Sequence, residues 1–387
     1  MKRLLLSLYG FAFFNKFLLL TPVYAIFMQQ HGLTDLQLSS MFIVSSIATI
    51  LGQMPITFTT NCLGQRYSMI VGQFLKIAAI LLWLVMPNIT GFVIGMVLWG
   101  VQAGFRSVAY EGLIYDAVSA NGHADDYTRI LGRKATFESI GVALSAFGSL
   151  LMFMGYDWVT WASVVAMLCS ILCLLAVPMT NVPRPTKKTQ FRKMFRTGIR
   201  ICFQTPCLLP VMLLALFAGN IPYLDDFLSP IGLQIGIPTE YVGMMSLFLL
   251  GCATIGQRFA YKFSRVPNWL ISMFIGLIGL GYILFAFVYS IGWLWVLGVS
   301  YILIYGVYTL LYSQFQSLIP SRHRSVVLSF YTTITHVVYM AVCGIIGLGG
   351  SLGSWRYSFV VLGVLMLLLC VWSAFVYSRR RCATRVA

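Results

Sequence analysis

Long apolar segments separated by short polar or basic loops occupy most of this chain. A helix needs about 20 apolar residues to cross a bilayer, and hydropathy gives about twelve segments of that length. The apolar runs are continuous, which excludes a membrane β-barrel, because barrel strands alternate over about 10 residues. We therefore predict an all-α membrane protein with spans near residues 4–29, 38–60, 68–86, 91–119, 129–154, 157–178, 206–229, 239–260, 268–288, 292–318, 324–348 and 354–378.

Composition supports this class, because 59% of the 387 residues are hydrophobic and only 9% are charged. Soluble domains carry roughly 25% charged residues. The net charge of +16 comes mostly from basic residues in alternate loops and at both ends of the chain. By the positive-inside rule, this places both termini in the cytoplasm and the protein in the cytoplasmic (inner) membrane. A nucleic-acid partner is not needed to explain the charge.

The longest connection, 179–205, divides the predicted spans into six and six. Its sequence FRKMFRTGIRICF predicts a basic amphipathic helix on the inner leaflet. We predict a six-helix bundle over 1–180, a cytoplasmic basic linker over 181–205, and a second bundle with a basic tail over 206–387. A faint repeat agrees with this division: GLTDLQLSS, from Gly32, parallels GIPTEYVGM, from Gly236. Repeated halves are common in secondary transporters.

The loop after the second span carries a family resemblance. Residues 57–66 read TFTTNCLGQR, and the chain resembles the major facilitator superfamily, whose pattern here is G-x-x-x-D-R-x-G-R-R. Gly64 and Arg66 fit this pattern, whereas Asn61 stands where the family has an aspartate that latches the cytoplasmic side. Asp116 is a candidate for the missing carboxylate, although an ion pair with a nearby basic residue of span five would explain it equally well.

The resemblance covers essentially the whole chain. It implies twelve transmembrane helices in two six-helix bundles, no enzymatic activity, and transport of a small solute by alternating access. Proton-driven drug exporters of this family tend to carry a Gly-Pro motif in span five, and Gly141–Gly148 lacks the proline. This disfavours drug/proton antiport, but multidrug or antibiotic efflux stays open as an alternative.

Span four holds polar groups inside an apolar segment. Gln102, Arg106 and Tyr110 step by four along one helix face, and Glu111 lies on a neighbouring face. An ionisable group at this depth costs roughly 2.5–3.5 kcal/mol on insertion scales, so it indicates a functional site by default. Arg106 also looks like the membrane-embedded arginine that the family's fourth span often holds. A structural ion pair between helices is the alternative.

Lys16 in span one should reach a depth similar to that of Arg106, because a helix rises about 1.5 Å per residue. Two cations there would bind an anionic or zwitterionic solute, such as a carboxylate-bearing metabolite or a siderophore. Alternatively, Glu111 and Glu138 neutralise them permanently. The candidate solute-binding residues are Asn15, Lys16, Gln102, Arg106, Tyr110, Tyr305, Tyr308 and His336.

Proton coupling requires a group that changes its charge. A carboxylate in apolar surroundings takes up a proton more readily than one in water. Glu111 and Glu138 are the first candidates, followed by Asp225 and Asp226. His336 is more often expected to be a packing residue. The tyrosines of span ten, including Tyr305 and Tyr308, would either line a cavity or pack against neighbouring helices.

Motifs for other functions are not found in the sequence. The four histidines are far apart, no G-x-x-x-x-G-K-[ST] loop occurs, and the nine cysteines read as packing residues without a metal array or a disulfide framework. We expect no cofactor and no metal. The expected partners are a small-molecule solute, protons and membrane lipids, and the chain is expected to be a monomer. A transporter-like membrane sensor without turnover remains the alternative of another class.

Overall fold

The computed structural model of the protein describes residues 2–120, 127–177, 191–263, 267–320 and 324–378. At some positions inside helices, among them Asn61 and Glu111, it describes the backbone alone. Every regular element within these ranges is helical, which confirms the predicted all-α class. The chain divides into two compact units, Met1–Lys188 with Pro238–Ser246, and Thr189–Ile237 with Leu247–Ala387.

Ten helical stretches in the described ranges are long and apolar enough to cross a membrane. They correspond to all the predicted spans except the first and the fifth. Their bounds are Asp35–Gln53, Gln65–Val85, Ile89–Arg106, Tyr156–Leu175, Leu208–Gln234, Thr239–Lys262, Asn268–Val288, Ile291–Leu318, Val326–Ser351 and Arg356–Ser378. Hydropathy therefore located most spans correctly, and the two exceptions have a structural cause.

Seven α-helices of the described ranges lie wholly in the first unit. They are α1 (Lys2–Lys16), α2 (Tyr24–Gln30), α3 (Asp35–Leu63), α4 (Gln65–Val85), α5 (Ile89–Ala120), α6 (Tyr127–Ser145) and α7 (Tyr156–Leu175). Helices α3 and α4 pack along α5, and α1 packs against α6 and α7. Helix α3 approaches α5 so closely that a Cβ at Gly100 would overlap the carbonyl oxygen of Ser45. Thr49 Oγ1 donates a hydrogen bond of 2.9 Å to the Gly100 carbonyl at this crossing.

The second unit contains eight further α-helices, of which α11 starts within the first unit. They are α8 (Phe191–Gln204), α9 (Leu208–Asn220), α10 (Leu228–Gln234), α11 (Val242–Phe259), α12 (Asn268–Val288), α13 (Leu294–Leu318), α14 (Arg324–Ser351) and α15 (Arg356–Ser378). Helix α8 coincides with the predicted basic helix and packs on α14, where Gly198 contacts Phe330. Cys207, before α9, is disulfide-bonded, so the prediction that every cysteine serves packing alone is wrong.

The first predicted span is interrupted in the middle. Helix α1 ends at Lys16, residues 17–23 are irregular, and α2 resumes at Tyr24. Pro22 has no N–H and disfavours a helical conformation in the residue before it, which hydropathy does not register. Non-helical backbone at membrane depth must be satisfied within the protein. Ser163 on α7 does this by accepting a hydrogen bond of 2.9 Å from the Leu20 N–H.

The seventh span is interrupted in the same way. Helix α9 ends at Asn220, the chain passes through Pro222 and a short 3₁₀ turn over Asp225–Phe227, and α10 begins at Leu228. The Tyr282 hydroxyl donates a hydrogen bond of 2.6 Å to the Pro222 carbonyl. The span extends to Gln234, five residues beyond the predicted limit at 229.

The fifth predicted span also differs from one continuous helix. Helix α6 ends at Ser145 and is followed by 3₁₀ turns over Ala146–Gly148 and Leu150–Met154. A Cβ at Gly148 would overlap the carbonyl oxygen of Leu19, so this segment lies directly against the break in the first span. The two irregular segments therefore pack together within the first unit.

Candidate functional site

A cluster of charged side chains links α5 and α6 in the first unit. Glu138 Oε1 lies 3.7 Å from Arg106 Nη1 and 3.5 Å from Lys134 Nζ. Lys134 Nζ also lies 4.8 Å from the centre of the Tyr110 ring. The structure therefore brings together the predicted Arg106 and Glu138, and adds Lys134. The Arg106 side chain keeps 34% of its surface exposed, so its guanidinium is accessible to a ligand.

A third cation of this unit, Lys76 on α4, was not assigned to the site from the sequence. It is buried, and its Nζ lies 4.5 Å from the centre of the Trp99 ring, which is a cation–π contact. The charges of Lys16 and Arg106 both act on it. Among the described side chains, no carboxylate forms an ion pair with Lys76. A lysine inside an apolar span was the signal that could have identified it, as it identified Lys16.

Asn15 belongs to a buried chain of hydrogen bonds that connects three helices. Gln73 Nε2 on α4 donates to Asn15 Oδ1 at 3.2 Å, and Ser170 Oγ on α7 donates to Gln73 Oε1 at 3.2 Å. Lys16 follows as the last residue of α1, where the helix dipole favours a cation. The hydrogen-bond chain holds the end of α1 in place and with it the position of Lys16.

Gln102 and Tyr110 are packed more tightly than a solute-binding role suggests. Tyr110 is 2% exposed, its hydroxyl donates to the Leu8 carbonyl at 3.2 Å, and Phe11 contacts its ring edge-on. Gln102 is buried on α5 where Gly72 lets α4 approach closely. In this conformation both side chains hold helices together, and their contact with a solute stays a prediction.

The residues of the predicted latch lie at helix ends or outside the described side chains. Gly64, with φ of +80°, is the residue that joins α3 to α4. Arg66 Nη2 donates a hydrogen bond of 2.6 Å to the Leu175 carbonyl in the last turn of α7, where carbonyl groups lack helical partners. Asp116 is half-buried on α5. The side chain of Asn61 is not described, so the latch stays a prediction. The side chain of Glu111, a candidate for proton coupling, is not described either, and its role also stays a prediction.

The second unit contains a cavity of about 200 Å³ beside the break in the seventh span. Asp225 lies at its wall, where its Oδ1 accepts a hydrogen bond of 3.0 Å from Tyr301 and its Oδ2 accepts one of 2.9 Å from Tyr305. The described residues that line the cavity are Gly219, Asn220, Pro222, Tyr223, Asp225, Tyr301, Ile304, Tyr305, Tyr308 and Thr335. The structure thus places three sequence candidates, Asp225, Tyr305 and Tyr308, at one cavity.

Asp226 has a separate tyrosine partner. The Tyr339 hydroxyl on α14 donates to Asp226 Oδ2 at 2.6 Å, and the Tyr339 ring contacts Tyr223 edge-on at 5.7 Å. His336 is half-buried on the same helix and follows Thr335, which lines the cavity. Tyr339 was not a sequence candidate, because no spacing relates α14 to a carboxylate more than 100 residues earlier.

The tyrosines of α13 serve both of the roles considered from the sequence. Tyr301, Tyr305 and Tyr308 line the cavity, while Tyr312 stacks on Tyr308 with ring centres 5.6 Å apart. A Cβ at Gly219 would contact the Tyr308 ring too closely, so glycine allows α9 to lie against it. Within the described residues, no group of three or more His, Cys, Asp or Glu side chains is arranged to hold a metal ion.

Comparisons with known proteins give one family and a common fold. The family model described as Major Facilitator Superfamily matches residues 5–342. No curated protein matches the sequence. The nucleoside transporter NupG is similar in structure, with a TM-score of 0.72 and 11% sequence identity over 98% of this chain and 99% of that one.

Two further solved structures are similar over nearly their whole length. A D-xylose-proton symporter has a TM-score of 0.74 at 12% identity, covering 96% of both chains. A POT family transporter in complex with 5-aminolevulinic acid has a TM-score of 0.69 at 15% identity, covering 97% of this chain and 96% of that one. At these identities the similarity shows the fold alone.

Proposed function

We propose that this chain, which belongs to the major facilitator superfamily, is a secondary active transporter of a small polar or charged organic solute. It is a multi-pass membrane protein, and its family and fold point to transport rather than to enzymatic chemistry. We place it in the cytoplasmic membrane with both termini in the cytoplasm, because the basic residues lie in the loops of one side. We further propose that it acts as a monomer.

The observation that carries the proposal is a charged or polar site at a broken helix in each unit. Span one is interrupted around Pro22 and span seven around Pro222, and the sequence repeat makes these spans counterparts. Lys16 lies at the first break and Asp225 at the second. Secondary transporters built from repeats place their binding residues at discontinuous helices in corresponding positions of the two halves.

The cations of the first unit support binding of a carboxylate or another anionic group. Arg106 is partly exposed, and Lys76 and Lys16 add positive charge to its surroundings. Arginine binds a carboxylate through two parallel N–H donors. Glu138 forms ion pairs with Arg106 and Lys134. With Lys16 and Lys76, the cations of this region outnumber it, so we expect an incoming anion to find net positive charge.

Proton coupling is a further part of the proposal. Glu138 forms ion pairs with both Arg106 and Lys134, and a proton on its carboxyl group would weaken its hold on both cations. A solute carboxylate would then compete with Glu138 for Arg106. Such an exchange couples proton uptake to solute binding at a single group. Asp225 and Asp226 are the corresponding candidates in the second unit.

Reconstitution into proteoliposomes tests the proposal directly. A thermal-shift screen of purified protein against metabolites, siderophores and antibiotics at two pH values selects solutes that bind. Uptake of the labelled solute is then measured with and without an imposed pH gradient. Protein-free liposomes and liposomes treated with a protonophore are the controls.

Saturable uptake that requires the protein supports the transporter. Binding without uptake would instead favour a sensor without turnover. Uptake that is insensitive to the pH gradient would remove the proton-coupling part and leave the transporter in place.

A further inference from the structure

The cavity of the second unit has an unusual charge balance. Among its described lining residues, Asp225 is the one charged side chain, and none is lysine, arginine or histidine. Asp225 is exposed although it lies within an apolar span. An ionised carboxylate within a membrane span is costly unless a positive charge, hydrogen bonds or a water-filled cavity compensate it. Tyrosine hydroxyls donate hydrogen bonds to Asp225, and no cation is found among the described residues that line the cavity.

The two hydrogen bonds from the tyrosines leave the Asp225 carboxylate able to accept further hydrogen bonds. A carboxylate has roughly four acceptor positions on its two oxygens. Tyr301 occupies one position on Oδ1, and Tyr305 occupies one on Oδ2. Both bonds hold the carboxylate in place without neutralising it. The remaining acceptor positions suit the N–H donors of an ammonium group, or close approach of a quaternary nitrogen.

Aromatic rings form much of the remaining wall. Tyr223, Tyr301, Tyr305 and Tyr308 all line the cavity, and the rings of Tyr301 and Tyr305 lie 6.0 Å apart at an angle of 39°. The face of an aromatic ring attracts a cation within about 6 Å, and groups of such rings bind quaternary ammonium ligands. A carboxylate beside several tyrosines is therefore a chemical match for an organic cation.

The size of the cavity restricts the ligand further. Its volume of about 200 Å³ is below the roughly 300–1,000 Å³ of pockets that enclose drug-sized molecules. The space suits a single small head group. Within the described residues, no three His, Cys, Asp or Glu side chains come together.

We infer that this cavity binds the positively charged nitrogen of a small organic amine or quaternary ammonium compound, with Asp225 as counter-ion and the tyrosines as walls. The inference rests on the proposed transport function, since it assigns one chemical group to the transported solute. It concerns the second unit alone, and does not depend on which group the cations of the first unit bind.

Binding to the purified full-length protein tests this inference without measuring transport. The probes are choline, ethanolamine, and the uncharged carbon analogue of choline, in which carbon replaces the nitrogen. Isothermal titration or thermal shift should detect choline or ethanolamine at concentrations where the carbon analogue has no effect. These measurements need only the wild-type protein. Equal binding of the carbon analogue, or no binding of either amine, would overturn the inference.

Variants then locate the site. Asp225→Asn should weaken amine binding by about tenfold or more, because it removes the counter-ion. Tyr308→Leu should weaken it by about threefold to tenfold, whereas Tyr308→Phe, which keeps the ring, should bind nearly as the wild type does. Asp157→Asn, at an exposed carboxylate in the first turn of α7, is the matched control and should bind normally. Unchanged binding by Asp225→Asn would place the amine elsewhere and overturn the assignment.

The two proposals fail in different ways. Amine binding that depends on Asp225, without flux of any solute into proteoliposomes, would support this inference and contradict the transport function. Flux of a solute by a protein that binds neither amine would contradict the inference and leave the transport function intact.

Discussion

The hydroxyl of Tyr305 donates a hydrogen bond of 2.9 Å to Oδ2 of Asp225, across 80 residues of sequence. The carboxylate lies within the break of the seventh span, and the tyrosine lies on α13. This bond, with its partner from Tyr301 at 3.0 Å, fixes the irregular segment to a regular helix. The charged residue of the cavity is therefore held by a regular helix.

Removing this bond should destabilise the protein. A hydrogen bond to a charged group contributes about 1.5–3 kcal/mol, so we expect Tyr305→Phe to lower the midpoint of thermal unfolding. Tyr357→Phe, at an exposed tyrosine, removes a hydroxyl that is not a donor to Asp225 and should leave the midpoint unchanged. If both variants unfold at the same temperature, the bond has no measurable energetic role.

Replacement of Arg106 tests the anion site. Arg106→Lys keeps the positive charge but loses the two parallel donors that bind a carboxylate. We expect a higher KM for solute uptake with normal expression. Arg258→Lys, at an exposed position near the end of α11, is the control. Wild-type transport kinetics in Arg106→Lys would rule out a bidentate contact with the solute.

Replacement of Glu138 tests proton coupling. Glu138→Gln cannot exchange a proton, so accumulation driven by a pH gradient should be lost while exchange of solute across the membrane persists. The same substitution at the exposed Glu240 should leave accumulation intact. Normal accumulation by Glu138→Gln would move the coupling group to another carboxylate.

Lys76 provides a test that separates function from stability. A buried cation without a described carboxylate partner is costly, so Lys76→Met should raise the thermal unfolding midpoint. If the charge contributes to solute binding, the same variant should lose transport. A variant that is destabilised and still transports would show that the contact with Trp99 is structural.

The close approach of α3 and α5 can be tested with glycine substitutions. Gly100→Ala should destabilise the first unit, because the added Cβ would overlap the Ser45 carbonyl oxygen and separate the helices. Gly132→Ala on α6 adds a methyl group where no atom lies within 4 Å. That control should be neutral or stabilising by up to about 1 kcal/mol, because alanine favours a helix over glycine. Equal unfolding midpoints would contradict the close approach.

Part of the candidate site could be predicted because burial of charge in a membrane leaves a visible signal. Lys16, Arg106, Glu138 and Asp225 all stand out as ionisable residues inside apolar segments. Hydropathy does not show which cation faces which carboxylate. Glu138 and Lys134 are four residues apart on α6, so their pairing is local, whereas the pairing of Glu138 with Arg106 depends on how α5 and α6 pack.

The sequence by itself determined the class of this protein and the position of most spans, because length and apolar continuity are local properties that a bilayer selects directly. It also indicated the family, through a short loop motif and a six-plus-six arrangement. Only the tertiary structure decided where the spans break, which tyrosines reach Asp225, and that Lys76 joins the cations of the first unit. Those outcomes depend on contacts between residues far apart in sequence, since packing and hydrogen bonding across helices follow no local period.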